Sequence, residues 1–362
     1  MAVRSSAVIA VRKITLFSFF TFATLLSIAS PASAHTVSGV GATNFQSRIV
    51  SVSPESPSLN TRIIEAGSRI ELSYRGLGTV IVRGYQNEPY LLITPKGVWR
   101  NKYSPATYIN VSRKFVEAPS FADPKHAPVW IKIEGNPTVR WHDHRIHYMS
   151  PILPPAVQAH QGERRLVNNW QLHLDVEGKA TTINGTLTWV PQSSPIPWVF
   201  YMLVLAGIFI ALLQVNRVRW FFLPIALIGF LLTDLAYRWG IIRGISESLP
   251  TILNRDAEIF IVSQLAWIGL VFATYLALRK KDDAYVAAIF CAVPLTIVSG
   301  LTDIVVLWKS QVPSLYGKET TRLLLATDIA LGFALAIGSF IYLLRTRSQR
   351  VVSRNVVRNA EV

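Results

Sequence analysis

The sequence predicts two folds in series: an immunoglobulin-like β-sandwich outside the cytoplasm, then an all-α bundle of five transmembrane helices. Three observations lead there. The first hydrophobic stretch stops at a small-residue cleavage signal, Ala32-Ser33-Ala34. Residues 35–190 alternate β-prone and polar positions between turn-forming residues. Residues 196–344 then carry five long apolar runs.

The N-terminal stretch opens with Arg4, Arg12 and Lys13, continues as an apolar run over 14–29 and ends in the Ala-x-Ala signal. That order is the mark of a secretory signal peptide, expected over 1–34. Its removal exposes His35 as the mature N-terminus, with an α-amine and an imidazole on one residue. Arg4, Arg12 and Lys13 are the only charges in this segment, so processing lowers the net charge of the 362-residue chain from +15 to +12. A basic exported chain without a nucleic-acid motif excludes nucleic acid as the natural partner. Anionic lipid, an acidic envelope polymer or an envelope protein fits better. The single cysteine, Cys291, lies in an apolar run, so no disulfide can form within the chain.

In the outer domain, strands are predicted over 69–75, 79–85, 90–94, 129–134 and 138–142. Two longer ones, 166–176 and 180–190, flank Glu177-Gly178-Lys179 as a hairpin. Residues 95–128 read as a less regular stretch rich in Tyr, Asn, Pro and Lys. A proline-rich tether, 191–197, closes the domain and leads into the bundle, 198–344, and a basic tail, 345–362.

The apolar runs span 196–215, 220–237, 259–278, 284–308 and 323–344, each long enough to cross about 30 Å of hydrocarbon as helix. Trp198, Trp220, Tyr237, Trp308 and Tyr342 stand near their ends, as interfacial aromatics do. The segments expected inside hold ten basic residues against six in the expected outer loops. This bias gives a multi-pass cell-membrane protein with an extracytoplasmic N-terminal domain and a cytoplasmic tail.

Two groups of residues carry chemistry. Three spans repeat a Thr-Asp pair, at Thr233-Asp234, Thr302-Asp303 and Thr327-Asp328. A carboxylate inside a span is costly, so Asp234, Asp303 and Asp328 face a protein interior, a cavity or a partner. Together they would bind a cation or relay protons. Alternatively, each caps a helix end or pairs with Arg238 or Arg322. Asp234 stands one turn before Arg238, and Asp328 is expected in the first turns of its helix.

The second group is Trp141-His142-Asp143-His144-Arg145-Ile146-His147-Tyr148-Met149. On an extended chain His142 and His144 share a face about 7 Å apart. With His147, and with the amine and ring of His35, they would bind copper or zinc in a brace-like set, Asp143 or Met149 assisting. The alternative is structural: the histidines bond loop carbonyls, and Asp143 pairs with Arg145. The apolar half has no histidine and offers only Met202 and Cys291 as soft ligands, which disfavours a copper path through the membrane.

Residues 84–91 (Gly-Tyr-Gln-Asn-Glu-Pro-Tyr-Leu), 104–108 (Ser-Pro-Ala-Thr-Tyr) and 141–147 resemble an uncharacterised group of actinobacterial membrane proteins. The resemblance covers most of the chain. It implies a signal peptide, a secreted β domain and several C-terminal spans, and no particular activity. A weaker likeness, resting on His35, the β-domain size and the fusion to membrane helices, is to copper-resistance proteins of the CopC kind joined to a CopD-like domain. It implies extracytoplasmic copper. The sequence thus describes a non-enzymatic envelope protein that displays a β-sandwich and binds copper or another transition metal. A structural or interaction module without metal is the alternative, and a copper-dependent or hydrolytic enzyme the third reading. Gly-x-Ser-x-Gly, His-Glu-x-x-His and phosphate-cradling glycine loops are missing from the chain.

Overall fold

The computed structural model describes residues 41–111, 116–245 and 257–360. The expected signal peptide and His35 lie outside the described residues. Ten strands come first: β1 Phe45–Ser53, β2 Leu59–Ile64, β3 Arg69–Tyr74, β4 Val80–Arg83, β5 Pro89–Thr94, β6 Gly97–Asn101, β7 Trp130–Glu134, β8 Thr138–His142, β9 Arg165–Val176 and β10 Lys179–Trp189. They pair antiparallel in a seven-stranded sheet, ordered β1-β10-β9-β4-β5-β6-β7, and a three-stranded sheet, β2-β3-β8.

Period-two patterning explains the core. Ile70, Leu72 and Tyr74 of the small sheet and Val80, Val82, Leu172, Leu174 and Ile183 of the large one are buried in a single cluster. The β9–β10 hairpin turns at Glu177 and Gly178, both at positive φ (54° and 79°), which matches the twist of the strands that it joins. Within the hairpin Gly185 sits opposite Trp170. A Cβ at Gly185 would overlap the Trp170 ring, so the glycine is what lets the indole lie across the sheet.

Five long helices follow: α1 Ile196–Gln214, α2 Arg219–Arg243, α3 Ala257–Leu278, α4 Asp283–Leu295 and α5 Lys318–Ala360. All five, α4 being counted with its extension to Leu301, are long and apolar enough to cross a membrane. Pro197 falls in the first turn of α1, where its missing N–H costs no hydrogen bond.

Two expectations change here. The fourth apolar run is not one continuous helix. The α-helix ends at Leu295, Thr296–Leu301 is a π-turn, and Ile304–Leu307 is a 3-10 turn. Pro294, which lacks an N–H and crowds the carbonyl a turn earlier, stands at the start of the break. The last helix also runs far beyond Leu344, through the segment read as a tail. No glycine or proline interrupts 345–360, and arginine favours helix.

The loop after the broken span is hydrogen-bonded to the chain entering β1. Thr43 and Gln311 form a two-bond antiparallel bridge (2.9 and 2.8 Å), and Ser310 N donates to Asn44 Oδ1 at 3.0 Å. Ser193 N donates to Trp308 O at 3.0 Å, which ties the linker before α1 to the same loop.

Candidate functional site: buried carboxylates in the helix bundle

Asp234, on α2, is fully buried. Its carboxylate accepts from Trp267 Nε1 on α3 at 2.7 Å, from Ser299 Oγ in the π-turn, and from Arg238 Nε at 3.2 Å. Arg238 is one turn along the same helix, as the spacing predicts, and is itself buried. Asp303 sits in the break after α4 and accepts from Tyr237 Oη at 2.9 Å. Its other oxygen is buried and has no hydrogen-bond partner among the described residues. On α5, Asp328 is fully buried, and among the described residues neither carboxylate oxygen has a hydrogen-bond partner.

The break and α5 approach closely because glycines face the contact. A Cβ on Gly300 would lie 2.7 Å from Ile329 Cγ1 and 3.5 Å from Asp328 Oδ2. Asp328 lies within the fields of Asp234 and Arg238, and Arg238 also acts on Asp303. Arg238 thus contacts Asp234 alone and reaches the other two carboxylates only through its field.

Arg322, the other expected partner, is fully buried but bonds elsewhere. It donates to Val306 O (3.2 Å), Lys309 O (2.7 Å), Ser193 Oγ (3.2 Å) and Glu319 (2.8 Å). It therefore satisfies carbonyls at the end of the broken span. Asp328 is also not in the first turns of its helix, because α5 begins at Lys318. The threonines of the Thr-Asp pairs play a separate part. Thr233, Thr302 and Thr327 each donate to the carbonyl four residues back, at 2.7 to 2.8 Å. Tyr237, Trp267 and Ser299 complete the site, and the sequence reading missed them. Tyr237 was legible as the i+3 neighbour of Asp234, and Trp267 as an indole in mid-span, away from the interface positions that such residues favour.

The histidine segment is arranged differently. Strand β8 ends at His142 and the chain turns at Asp143, so His142 and His144 do not follow the two-residue period. His142 Nε2 accepts from Arg69 Nε at 3.0 Å, which leaves Nδ1–H to donate to Ser68 O at 3.0 Å. The rings of His144 and His147 stand 5.4 Å apart, nearly perpendicular. Asp143, fully buried, accepts from Trp141 Nε1 (3.0 Å), Arg145 N (3.1 Å), and Arg145 Nε and Nη2 (both 2.8 Å). Burial opposes the charge of Arg145, but the Asp143 carboxylate more than offsets this and holds the guanidinium above its ordinary pKa. Among the described residues no group of three or more His, Cys, Asp or Glu side chains is placed to hold a metal ion.

The fold joins the three segments quoted above. The Tyr85 hydroxyl donates to Asn110 Oδ1 and accepts from His144 N at 3.0 Å, and Arg145 stacks on the Tyr85 ring. Buried Glu88 accepts from Ser104 Oγ at 2.7 Å and Gln86 N at 2.9 Å. This network is built to hold loops. Polar groups of this kind are stable when buried because each meets a partner.

No protein-family model matches the chain, and neither does any curated protein or solved structure.

Proposed function

We propose that the protein is a polytopic cell-envelope membrane protein, with an immunoglobulin-like β-sandwich outside the cytoplasm and a proton-exchanging carboxylate site inside its helical bundle. Asp328 is the observation that supports this reading. An ionised carboxylate with two buried and unpartnered oxygens, near a second carboxylate, is too costly to persist. Charge at this position needs a donor or a countercharge to reach it. Asp234 is the opposite case: three hydrogen bonds reach its carboxylate, one of them from the Arg238 guanidinium. Two neighbouring carboxyls in such unlike hydrogen-bonding surroundings are what proton exchange needs. Exposed apolar residues on α1, such as Phe200 and Leu203, both 67% exposed, supply the lipid-facing surface of such a bundle. Catalysis is no part of this reading.

The test compares Asp328→Asn with Asp234→Asn in the full chain, purified in detergent. Asparagine mimics a neutral carboxyl, so Asp328→Asn is expected to change stability by less than about 1 kcal/mol. Asp234→Asn leaves Arg238 uncompensated and is expected to cost about 3–5 kcal/mol. In proteoliposomes, proton uptake driven by an imposed pH gradient should be lost in Asp328→Asn. Equal destabilisation by the two changes, or unaltered uptake, would overturn the proposal.

A further inference from the structure

A separate cleft opens on the outer domain, between β5 and β6 of the large sheet and β3 and β8 of the small one. Its volume is about 220 Å³, below the ~300–1,000 Å³ of drug-sized sites. Arg69, Arg100, Arg140, Asn110 and His142, with the hydroxyls of Tyr90 and Thr107, contribute its polar lining, and among the described residues no carboxylate lines it. Two of the arginines are fixed from behind. Arg140 Nε is bound to Glu71 at 2.6 Å, and Arg69 Nε lies 3.4 Å from Glu65. These contacts leave Arg140's two terminal nitrogens unspent. Arg100 has no ion pair of its own among the described residues, although it stands near Tyr90. Buried Asn110 accepts from Tyr85 at Oδ1 and hydrogen-bonds Tyr90 as well, so it is a fixed wall of the cleft. Among the described residues, Arg100 and the terminal nitrogens of Arg140 therefore remain as donors at the cleft. Leu91, Ile133, Val139 and Trp141 supply apolar walls.

From this geometry we infer that the cleft is a binding site for a small organic monocarboxylate, its apolar body against Val139 and Trp141 and its carboxylate toward Arg100 and Arg140. A planar carboxylate matches the guanidinium fork in a bidentate manner. The apolar walls would be wasted on a hydrated inorganic anion. His142 then serves as a wall of the cleft, oriented by Ser68 and Arg69, with no metal required.

The experiment is calorimetric titration of the full-length protein in detergent with three probes: benzoate, its neutral analogue benzamide, and inorganic phosphate. Saturable benzoate binding is expected, with benzamide and phosphate at least about tenfold weaker. Arg100→Gln should weaken benzoate at least about tenfold while Arg100→Lys keeps part of it. Ile133→Trp, which fills the cleft from its half-exposed rim without altering charge, should block benzoate as well. Absent benzoate binding would overturn the inference. So would equal binding of benzamide, binding of phosphate as tight as benzoate, or indifference to both Arg100→Gln and Ile133→Trp.

Discussion

Glu71 shows how a single side chain in the small sheet is balanced. Burial acts to raise its pKa, yet hydrogen bonds from Arg62 (2.5 Å) and Arg140 (2.6 Å) hold the carboxyl below its ordinary value. A carboxyl lowered in the folded state stabilises the fold above its unfolded pKa of about 4.3, and that stability fades as pH falls through the lowered folded value. Glu71→Gln should therefore be less stable than the natural protein at neutral pH. The gap should narrow below about pH 4, when the unfolded chain takes up the proton first. Chemical denaturation across that range checks the sign, and a gap that widens in acid would contradict it. At this scale the sequence was partly legible. The Asp234–Arg238 and Asp143–Arg145 pairs follow from spacing and from opposite charge. The Ser68 and Arg69 contacts of His142 join residues more than seventy positions apart, and no local pattern announces them.

Strands and helices were legible where the pattern was regular and opaque where it was interrupted. The β9–β10 hairpin and β8 were readable because alternation and turn chemistry agree there. Strand β1, at the edge of the large sheet, mixes Gln46, Ser47, Arg48 and Ser51 into its run and escaped notice, as did β2 and the short β6. Hydropathy alone located all five long helices, but it is blind to backbone geometry, so the break after α4 had to come from the structure. The break fits against α5 through Gly332, where a Cβ would overlap Thr296 Oγ1 and meet Phe230 Cε2 at 3.2 Å. Alanine in a helix interior normally gains up to about 1 kcal/mol over glycine. Here Gly332→Ala should instead cost about 1–3 kcal/mol through overpacking. Adding Thr296→Ala should restore most of that loss, and a double-mutant cycle measures the coupling. Purely additive costs would show that the two positions do not press on each other.

Across the whole molecule, the β domain and the helices are joined by few but well-directed bonds. Gln311 pairs with Thr43, Ser310 with Asn44, and Arg322 with Ser193 and Lys309, all within a few residues of the break that carries Asp303. The β domain and the carboxylate site thus share one loop. Gln311→Pro removes the N–H that bonds Thr43 O at 2.8 Å. Unfolding followed by tryptophan fluorescence and by helical circular dichroism should then separate into two transitions where the natural protein shows one. Coincident curves in the variant would mean that the halves are held together some other way. The division into a β half and a helical half could be read from composition. The bolt between them could not, because Thr43 and Gln311 carry no hydrophobic or charge signature.

The length of α5 has a further consequence. Its 43 residues span about 65 Å at 1.5 Å per residue, about twice the thickness of a bilayer's oily layer. A rod of that size cannot be submerged along its whole extent. This stiff mast outreaches the oily layer, and its sequence beyond Leu344 carries Arg345, Arg347, Arg350, Arg354 and Arg358. Such a mast would carry any tilt of its buried base outward as a swing of several ångströms at its tip.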